Sequence, residues 1–244
     1  AELARKVQAR LPTDQRVSLA FYSDRPGLAD TITRVIEEGA QRIIFAHVRV
    51  TDPPEAVAAG ELLEGIDLYS NRISAAHLTP LWDSDLLPQI YVRRVLEAVA
   101  MRGGPTADQI GLLLVGRGHG TKTVQSRLRR EQEQAFLGRV KQALVRAGFD
   151  ESQIATGWLR QEPIAAQALQ QLVNSECKDI YWMPVSYAAD GINTLYDIKA
   201  PLESIAAAKK LKLTGLGAWN ADDLAAEEIA TRVRAGMTTK SRPL

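Results

Sequence analysis

The strongest constraint on the fold comes from two apolar runs, each followed at once by a loop rich in glycine and polar residues. Residues 110–115 precede Gly-Arg-Gly-His-Gly, and residues 180–185 precede Ser-Tyr-Ala-Ala-Asp-Gly. Short apolar runs bounded in this way are typical of strands buried on both faces. In an open α/β sheet, ligands bind where loops leave the carboxyl ends of the strands. The sequence therefore predicts that the loops carrying His119 and Asp190 face one crevice.

The amino-terminal part of the chain shows a strand–helix–strand pattern. Residues 16–22 and 42–50 are rich in branched and aromatic side chains and are strand candidates. Between them, residues 27–38 form an amphipathic stretch that Gly39 is placed to end. Such a succession predicts a βαβ unit with a parallel pair of strands.

The alternation repeats from residue 110 onward. Further strands are expected in the segments 110–115, 154–158, 179–185 and 211–216, with helices at 122–147, 163–174, 198–210 and 222–235. We therefore expect an α/β protein of two Rossmann-like (flavodoxin-type) halves, each with a parallel sheet, and a cleft between the halves. Residues 1–104 would form the amino-terminal half and 105–244 the carboxyl-terminal half, with a linker at residues 102–105.

Composition excludes several classes of function. Thirty Lys and Arg residues balance 29 Asp and Glu residues, so nothing points to a nucleic-acid partner. No apolar run approaches the roughly 18 residues that span a bilayer, and no secretory leader is evident. Cys177 is the only cysteine, which excludes an internal disulfide and four-cysteine metal sites. A cytoplasmic location is the expectation.

One segment has a recognisable pattern. Residues 184–197, Pro-Val-Ser-Tyr-Ala-Ala-Asp-Gly-Ile-Asn-Thr-Leu-Tyr-Asp, resemble the ferrochelatase pattern, in which Ser-Asp-His-Ile-Glu-Thr-Leu-Tyr-Glu follows the end of a strand. Weaker likenesses cover residues 19–26, 112–120 and 216–222. Cobalt and sirohydrochlorin chelatases share the fold and a Gly-His-Gly loop. The chain is thus similar to the class II tetrapyrrole metal chelatases, without the first strand of their amino-terminal half.

The resemblance implies an activity. Relatives of this kind are lyases that insert a divalent metal, usually Fe²⁺, into a porphyrin-type macrocycle, as in heme biosynthesis. The metal and the tetrapyrrole would be substrates, and no permanently bound cofactor is implied. The sequence leaves open a homodimer or a companion subunit.

The resemblance also implies catalytic residues. His119 matches the family's histidine and would act as proton acceptor and metal ligand, because a neutral imidazole is abundant near neutral pH. The family's glutamate falls on Asn193, and the histidine before it falls on Gly191. Asn193 cannot accept a proton, so it is expected to line the site. Asp190 aligns with an acidic position and would be the auxiliary acid.

Three further residues are expected to bind the substrate. Tyr187 could stack on a macrocycle, and Arg117 could pair with a ligand carboxylate. Gly118, in the same loop as Arg117, is the third.

Several alternatives stay open at this point. The chain could be a non-catalytic tetrapyrrole-binding or structural homologue, or an unrelated small-molecule-binding α/β protein. Asp190 could instead cap the following helix. We expect structural roles for His47 and His77, and the charged run 127–133 is expected to form the solvated face of a helix.

Overall fold

A computed structural model describes residues 1–22, 24–52, 73–102 and 110–238. The helices in these ranges are α1 (Glu2–Gln8), α2 (Leu28–Glu37), α3 (Leu87–Met101), α4 (Val124–Arg146), α5 (Ala165–Asn174), α6 (Lys199–Lys209) and α7 (Asp223–Thr238). The strands are β1 (Arg42–Phe45), β2 (Ser74–His77), β3 (Ile110–Gly116), β4 (Ile154–Trp158), β5 (Asp179–Met183) and β6 (Lys212–Gly215). Short 3₁₀ turns cover Leu81–Asp83 and Glu151–Gln153, and a π-helical segment covers Asn193–Ile198.

The chain forms two compact units. Unit 1 contains Ala1–Val48, Asp52–Pro80 and Ala225–Leu244, and unit 2 contains Arg49–Thr51 and Leu81–Leu224. In the part of the chain that the structure describes, no helix is long and apolar enough to cross a membrane.

Unit 2 is built on a four-stranded parallel sheet in the order β4-β3-β5-β6. Every residue of the central strand β3 is buried, which is why it appears in the sequence as a continuous apolar run. Gly157 on β4 allows helix α5 to pack closely, since a Cβ there would lie 2.8 Å from the Cα atom of Ala165. This sheet places the loops after β3, β4 and β5 at one edge.

Polar side chains bind backbone amides at the start of two helices of unit 2. The Ser84 hydroxyl accepts hydrogen bonds from the backbone amides of Leu86 and Leu87 at the start of α3. Thr123 caps α4 by accepting from the amide of Ser126. These side chains satisfy amide donors that the first turn of a helix leaves unpaired.

Unit 1 contains the parallel pair β1 and β2, packed with α2. Ile32 of α2 is buried against a group of partly buried apolar side chains: Leu28, Ile36, Ile43, Phe45, Ile73 and Ala75. Helix α7 belongs to this unit. The guanidinium of Arg42 donates to the carbonyl oxygens of Gly236 and Met237, at 2.8 and 2.9 Å.

The expectation of parallel α/β architecture is confirmed, and the organisation differs in two respects. The expected boundary at residue 104 does not match the two units. Helix α3 lies in unit 2, where the hydroxyl of Tyr91 donates to the Val185 carbonyl, and α7 lies in unit 1. Residues 16–22 do not form a strand. They make only an isolated bridge, in which the amide of Phe21 donates to the Pro26 carbonyl.

Strand β1 is also shorter than expected, ending at Phe45. Residues 55–64, whose sequence has some helical character, and most of the expected 102–105 linker lie outside the described residues.

Candidate active site at the carboxyl end of β3

The loop after β3 lies tightly against its neighbours. A Cβ added at Gly116 would be 2.6 Å from Trp158 Cδ1. Gly118 has φ +82°, and a Cβ there would be 2.9 Å from the Cβ of Gln161. The left-handed backbone and the lack of space both favour glycine at position 118. The loop that carries His119 is therefore fixed in shape.

A buried carboxylate accepts hydrogen bonds from the backbone of this loop. Glu133 of α4 is only 1% exposed. Its Oε1 accepts the Arg117 amide at 2.8 Å, and its Oε2 accepts the Gly118 amide at 3.0 Å. A buried charge is costly unless such donors satisfy it. The two amides thus fix a buried carboxylate against the loop that carries His119.

His119 lies beside that carboxylate, with its Nε2 atom 4.0 Å from Glu133 Oε2. Burial lowers the pKa of His119 below its usual value, and Arg117 and Arg129 lower it further, while Glu133 opposes the shift. The imidazole is therefore neutral near pH 7. A neutral imidazole next to a carboxylate can take a proton and have the resulting cation stabilised.

The loops after the three neighbouring strands are joined by hydrogen bonds. The Arg117 amide donates to the Ser186 hydroxyl at 2.9 Å, and the Val185 amide donates to the Val115 carbonyl at 3.0 Å. The Arg160 amide donates to the Arg117 carbonyl at 3.0 Å. The loop carrying His119 and the segment that begins at Pro184 therefore lie side by side.

Several buried polar atoms close to this loop have no hydrogen-bond partner among the described residues. They are the Tyr187 hydroxyl, the Trp158 Nε1 and both polar atoms of the Gln161 amide. Burial, and after it the charge of Glu133, raise the pKa of Tyr187. Unpaired buried polar groups are uncommon and call for a partner such as water or ligand. These atoms are donors and acceptors that a water molecule or a polar ligand beside the loop would satisfy.

Asp190 is held in a network between two loops. Its Oδ1 accepts the Ala218 amide at 3.0 Å, and its Oδ2 accepts the Asn220 side-chain amide at 2.7 Å. The Asp190 amide in turn donates to Asn220 Oδ1. Asp190 thus joins the loops after β5 and β6 and does not cap the following helix. Its role as auxiliary acid stays a prediction.

Hydrogen bonds from Arg94 support that network. The Arg94 guanidinium donates to the carbonyl oxygens of four consecutive residues, Leu216, Gly217, Ala218 and Trp219. This multiple donation fixes the loop after β6, on which the position of Asp190 depends.

Asn193 begins the π-helical segment. It is partly buried, and its side-chain amide donates to Asp197 Oδ2 at 2.6 Å. Single-turn π segments within helices are frequent at functional sites. Three apolar side chains of the same region, Ile192, Leu195 and Tyr196, are exposed. The expected lining role of Asn193 stays a prediction, as do the substrate roles of Tyr187, Gly118 and the exposed Arg117.

The sequence analysis did not identify Glu133. Residues 127–133, which include Glu133, were expected to form the solvated face of a helix. That expectation is wrong for the last two residues of the run, because Gln132 and Glu133 are both buried. The helical register contained the signal. Glu133 precedes the buried Phe136 and Leu137 by three and four residues, so it lies on the same helix face as the core.

The described residues contain no group of three or more His, Cys, Asp or Glu side chains placed to hold a metal ion. His119 and Glu133 are the two ligand-type side chains at the loop after β3. The assignment of His119 as a metal ligand stays a prediction.

Known structures identify the architecture. No family model and no curated protein sequence matches the chain. A solved structure of CbiX, described as the terminal enzyme for biosynthesis of siroheme in denitrifying bacteria, aligns with 96% of this chain and 88% of its own, at 17% identity and a TM-score of 0.66. The chain has a chelatase-type fold.

Two structures of SirB support the same chelatase-type fold. SirB from Bacillus subtilis with Fe³⁺ aligns with 97% of this chain and 87% of its own, at 12% identity and a TM-score of 0.69. The sirohydrochlorin chelatase SirB from Bacillus subtilis subspecies spizizenii, in complex with cobalt, aligns at 11% identity and a TM-score of 0.66, over 96% of this chain and 87% of its own. At these identities the likeness establishes architecture and leaves the chemistry to the residues of the site.

Proposed function

We propose that this protein is a tetrapyrrole metal chelatase, which inserts a divalent metal ion into a macrocycle bound beside His119. The observation that carries the proposal is the pairing of His119 with the buried Glu133, 4.0 Å apart, at the carboxyl end of the central strand. In open parallel sheets this is the edge where ligands bind. The chelatase-type fold and the resemblance of residues 184–197 support the same conclusion.

The pairing suits the chemistry of insertion. A tetrapyrrole must lose two pyrrole protons for each divalent ion that enters. The neutral His119 accepts a pyrrole proton, and the resulting imidazolium is stabilised by the negative charge of Glu133. The imidazole is 15% exposed, so it can then release the proton to solvent and accept the second.

The charges around the site favour a macrocycle rich in carboxylates. Arg117, Arg129 and Arg49 act electrostatically on His119, and Arg117 and Arg160 act on Tyr187. Guanidinium groups suit carboxylate ligands because they donate in a matching planar fork. We therefore favour a polycarboxylated tetrapyrrole such as sirohydrochlorin, with Fe²⁺ as the metal, over a porphyrin with fewer carboxylates.

The test is an insertion assay followed by absorbance. The purified protein is mixed with sirohydrochlorin or, separately, with a dicarboxylic porphyrin, and Fe²⁺ or Co²⁺ is then added without oxygen. We expect insertion above the uncatalysed rate, faster with sirohydrochlorin. His119→Ala should abolish the acceleration. Glu131→Gln, an exposed change on the same helix as Glu133, should leave it intact. Wild-type rates equal to the uncatalysed rate would contradict the proposal.

One observation favours a second candidate, a non-catalytic tetrapyrrole-binding homologue. The position of the family's glutamate is occupied by Asn193, whose amide is engaged by Asp197. A spectral shift on mixing with the macrocycle, followed by no accelerated insertion with either metal, would support this candidate instead.

A further inference from the structure

Unit 2 contains a strongly basic stretch beside the candidate site. The chain as a whole is nearly neutral, with 30 Lys and Arg residues against 29 Asp and Glu residues. Residues 116–130, by contrast, contain five cationic side chains and no acidic one. We call this stretch the basic segment, and its cations are Arg117, Lys122, Arg127, Arg129 and Arg130. Because the segment includes His119 and the first two turns of α4, its positive charge lies next to the loop after β3.

Most of the basic segment faces solvent. Three of its cations are exposed, and the other two are partly buried. The apolar side chains at the start of α4 are exposed as well, Val124 by 68% and Leu128 by 46%. Further along the same helix, Phe136 and Val140 are fully buried. The first two turns of α4 therefore present their charges to solvent, whereas the later turns pack into the core of unit 2.

The charges of the basic segment are not neutralised by carboxylates. Among the residues that the structure describes, none of the five cations forms an ion pair with Asp or Glu, whereas Arg139 of the same helix pairs with Asp85 at 2.8 Å. Arg127 and Arg130, three positions apart on the helix surface, repel each other. A polyanion bound to this surface would offset the repulsion and be attracted by every cation at once.

The positive charge of the segment reaches the proposed catalytic histidine. Arg117 and Arg129 both lower the pKa of His119. Charges act on one another appreciably only within about a Debye length, roughly 10 Å in ordinary buffers. A surface that attracts anions therefore adjoins the place where we propose that metal insertion occurs.

We propose that the basic segment is an electrostatic docking surface, which captures a polycarboxylated macrocycle and guides it to His119. The inference rests on the proposed function and adds the route by which the substrate arrives. Guanidinium groups bind carboxylates through two parallel hydrogen bonds, so a molecule with several carboxylates can engage several arginines together. Surfaces of this kind raise association rates by about 10- to 1,000-fold at low ionic strength.

The extent of the segment favours a small polyanion over nucleic acid. Its cations cover the loop after β3 and two helical turns, which span only about 11 Å. The segment contains no Phe, Tyr or Trp on which a nucleic-acid base could stack. A macrocycle with carboxylates around its rim matches both the size and the charge of this surface.

The test measures how fast metal-free sirohydrochlorin associates with the whole chain. Stopped-flow absorbance gives the rate between about 20 and 500 mM salt, and the wild-type rate should fall about tenfold or more over this range. Arg127→Gln/Arg130→Gln should associate about fivefold more slowly at low salt and approach the wild-type rate at high salt. Arg117 and Arg129 stay intact, because their charges act on His119.

Two controls separate this surface from a general effect of charge. Arg139→Gln/Arg146→Gln removes two positive charges from the other half of α4 and has the same net charge as the test variant. It should keep the wild-type association rate within about twofold, because its charges lie outside the basic segment. A dicarboxylic porphyrin is the second control, and its association should depend less on salt because it carries fewer charges.

Equal association rates for wild type and Arg127→Gln/Arg130→Gln at every salt concentration would overturn the inference and leave the chelatase proposal standing. Equal slowing by Arg139→Gln/Arg146→Gln would also overturn it, since net charge alone would then set the rate. Tighter binding of a short single-stranded DNA or of polyglutamate than of sirohydrochlorin would assign the surface to a macromolecule instead. A wild-type protein that binds no macrocycle would contradict the chelatase proposal and this inference together.

Discussion

Glu133 combines features that a surface carboxylate lacks. Two backbone amides bind its oxygens, solvent scarcely reaches it, and the Nε2 atom of His119 lies 4.0 Å from its Oε2 atom. Its charge therefore acts on His119 through a medium that screens poorly. The residue supplies a carboxylate beside His119, whereas Asn193 occupies the position of the glutamate in the ferrochelatase pattern that residues 184–197 resemble.

Replacing Glu133 by Gln should change the pH dependence of insertion. His119 must be neutral to accept a proton, so the rate should fall on the acid side as pH drops through its pKa, which lies below 6.5. The negative charge raises that pKa, so Glu133→Gln should move the acid limb to lower pH. It should also slow insertion by about tenfold or more, as expected when a group aiding proton transfer is lost.

The pKa of His119 can be followed by NMR in parallel with the rate. Glu131→Gln is the control and should leave both unchanged. A Glu133→Gln protein with an unaltered His119 pKa would show that the carboxylate has only a structural role.

A carboxylate introduced at position 193 should increase the rate of metal insertion that we propose. Asn193→Glu places a proton acceptor where the ferrochelatase pattern has glutamate. The new charge would face Asp197 four residues on, which costs about 0.2–0.5 kcal/mol on a helix surface. The double variant Asn193→Glu/Asp197→Asn should therefore be more stable than the single variant in urea. Equal insertion rates for wild type and both variants would contradict a catalytic role for this position.

At the residue level, the sequence singled out His119 from its flanking glycines and from the resemblance to chelatases, and its role stays a prediction. It did not predict Glu133, because charge in a sequence gives no direct sign of burial. Nor did it predict the bonding of Asp190 to Ala218 and Asn220, since these residues are about 30 positions apart.

At the scale of the elements, the loop after β3 has a backbone position that only glycine suits. Gly118 needs a positive φ and has no space for a side chain, whereas a Cβ at Gly120 would meet nothing within 4 Å. The two glycines therefore provide a matched comparison within one loop.

Gly118→Ala should destabilise the protein by about 1–3 kcal/mol, the cost expected of a non-glycine residue held in strained backbone. Gly120→Ala should have a much smaller effect. Urea unfolding curves of the two variants give the comparison directly. Similar midpoints would mean that the loop relaxes and that the close approach to Gln161 is not required.

Element prediction succeeded where burial was uniform. The continuous apolar runs became β3 and β5, and the long helix after Lys122 was found within two residues at its start. The strand predicted at residues 16–22 was wrong, although the composition of this segment favours a strand. Strand formation requires a partner with free amides and carbonyls, and composition does not specify one.

At the scale of the whole chain, all but the first two residues of α7 belong to unit 1, although they follow unit 2 in the sequence. Arg42 of β1 donates to carbonyls near the end of this helix, and Arg232 of α7 donates to the Pro80 carbonyl at 2.9 Å. Sequence periodicity identified the helix but could not assign it to a unit, because the deciding contacts are more than 150 residues apart.

Replacing Arg42 by Met should weaken unit 1 selectively. The methionine retains an apolar stem but cannot donate to Gly236 and Met237, and hydrogen bonds from charged groups contribute about 1.5–3 kcal/mol. Hydrogen exchange should accelerate in α2 and α7 and stay unchanged in β3 and β5. Arg34→Met, which removes an exposed ion pair with Glu38, is the control and should have little effect. Uniform acceleration in both units would contradict separate cooperative units.

The late position of α7 has a consequence for biosynthesis. The segments of unit 1 up to Pro80 leave the ribosome long before residue 225 is translated. Unit 1 therefore cannot be completed until α7 has been synthesised. Apart from Arg49–Thr51, which emerge earlier, unit 2 emerges in the interval, so it can fold before unit 1 is complete. We expect the emerging chain to acquire protease resistance around β3 and β5 before it does so around β1 and β2.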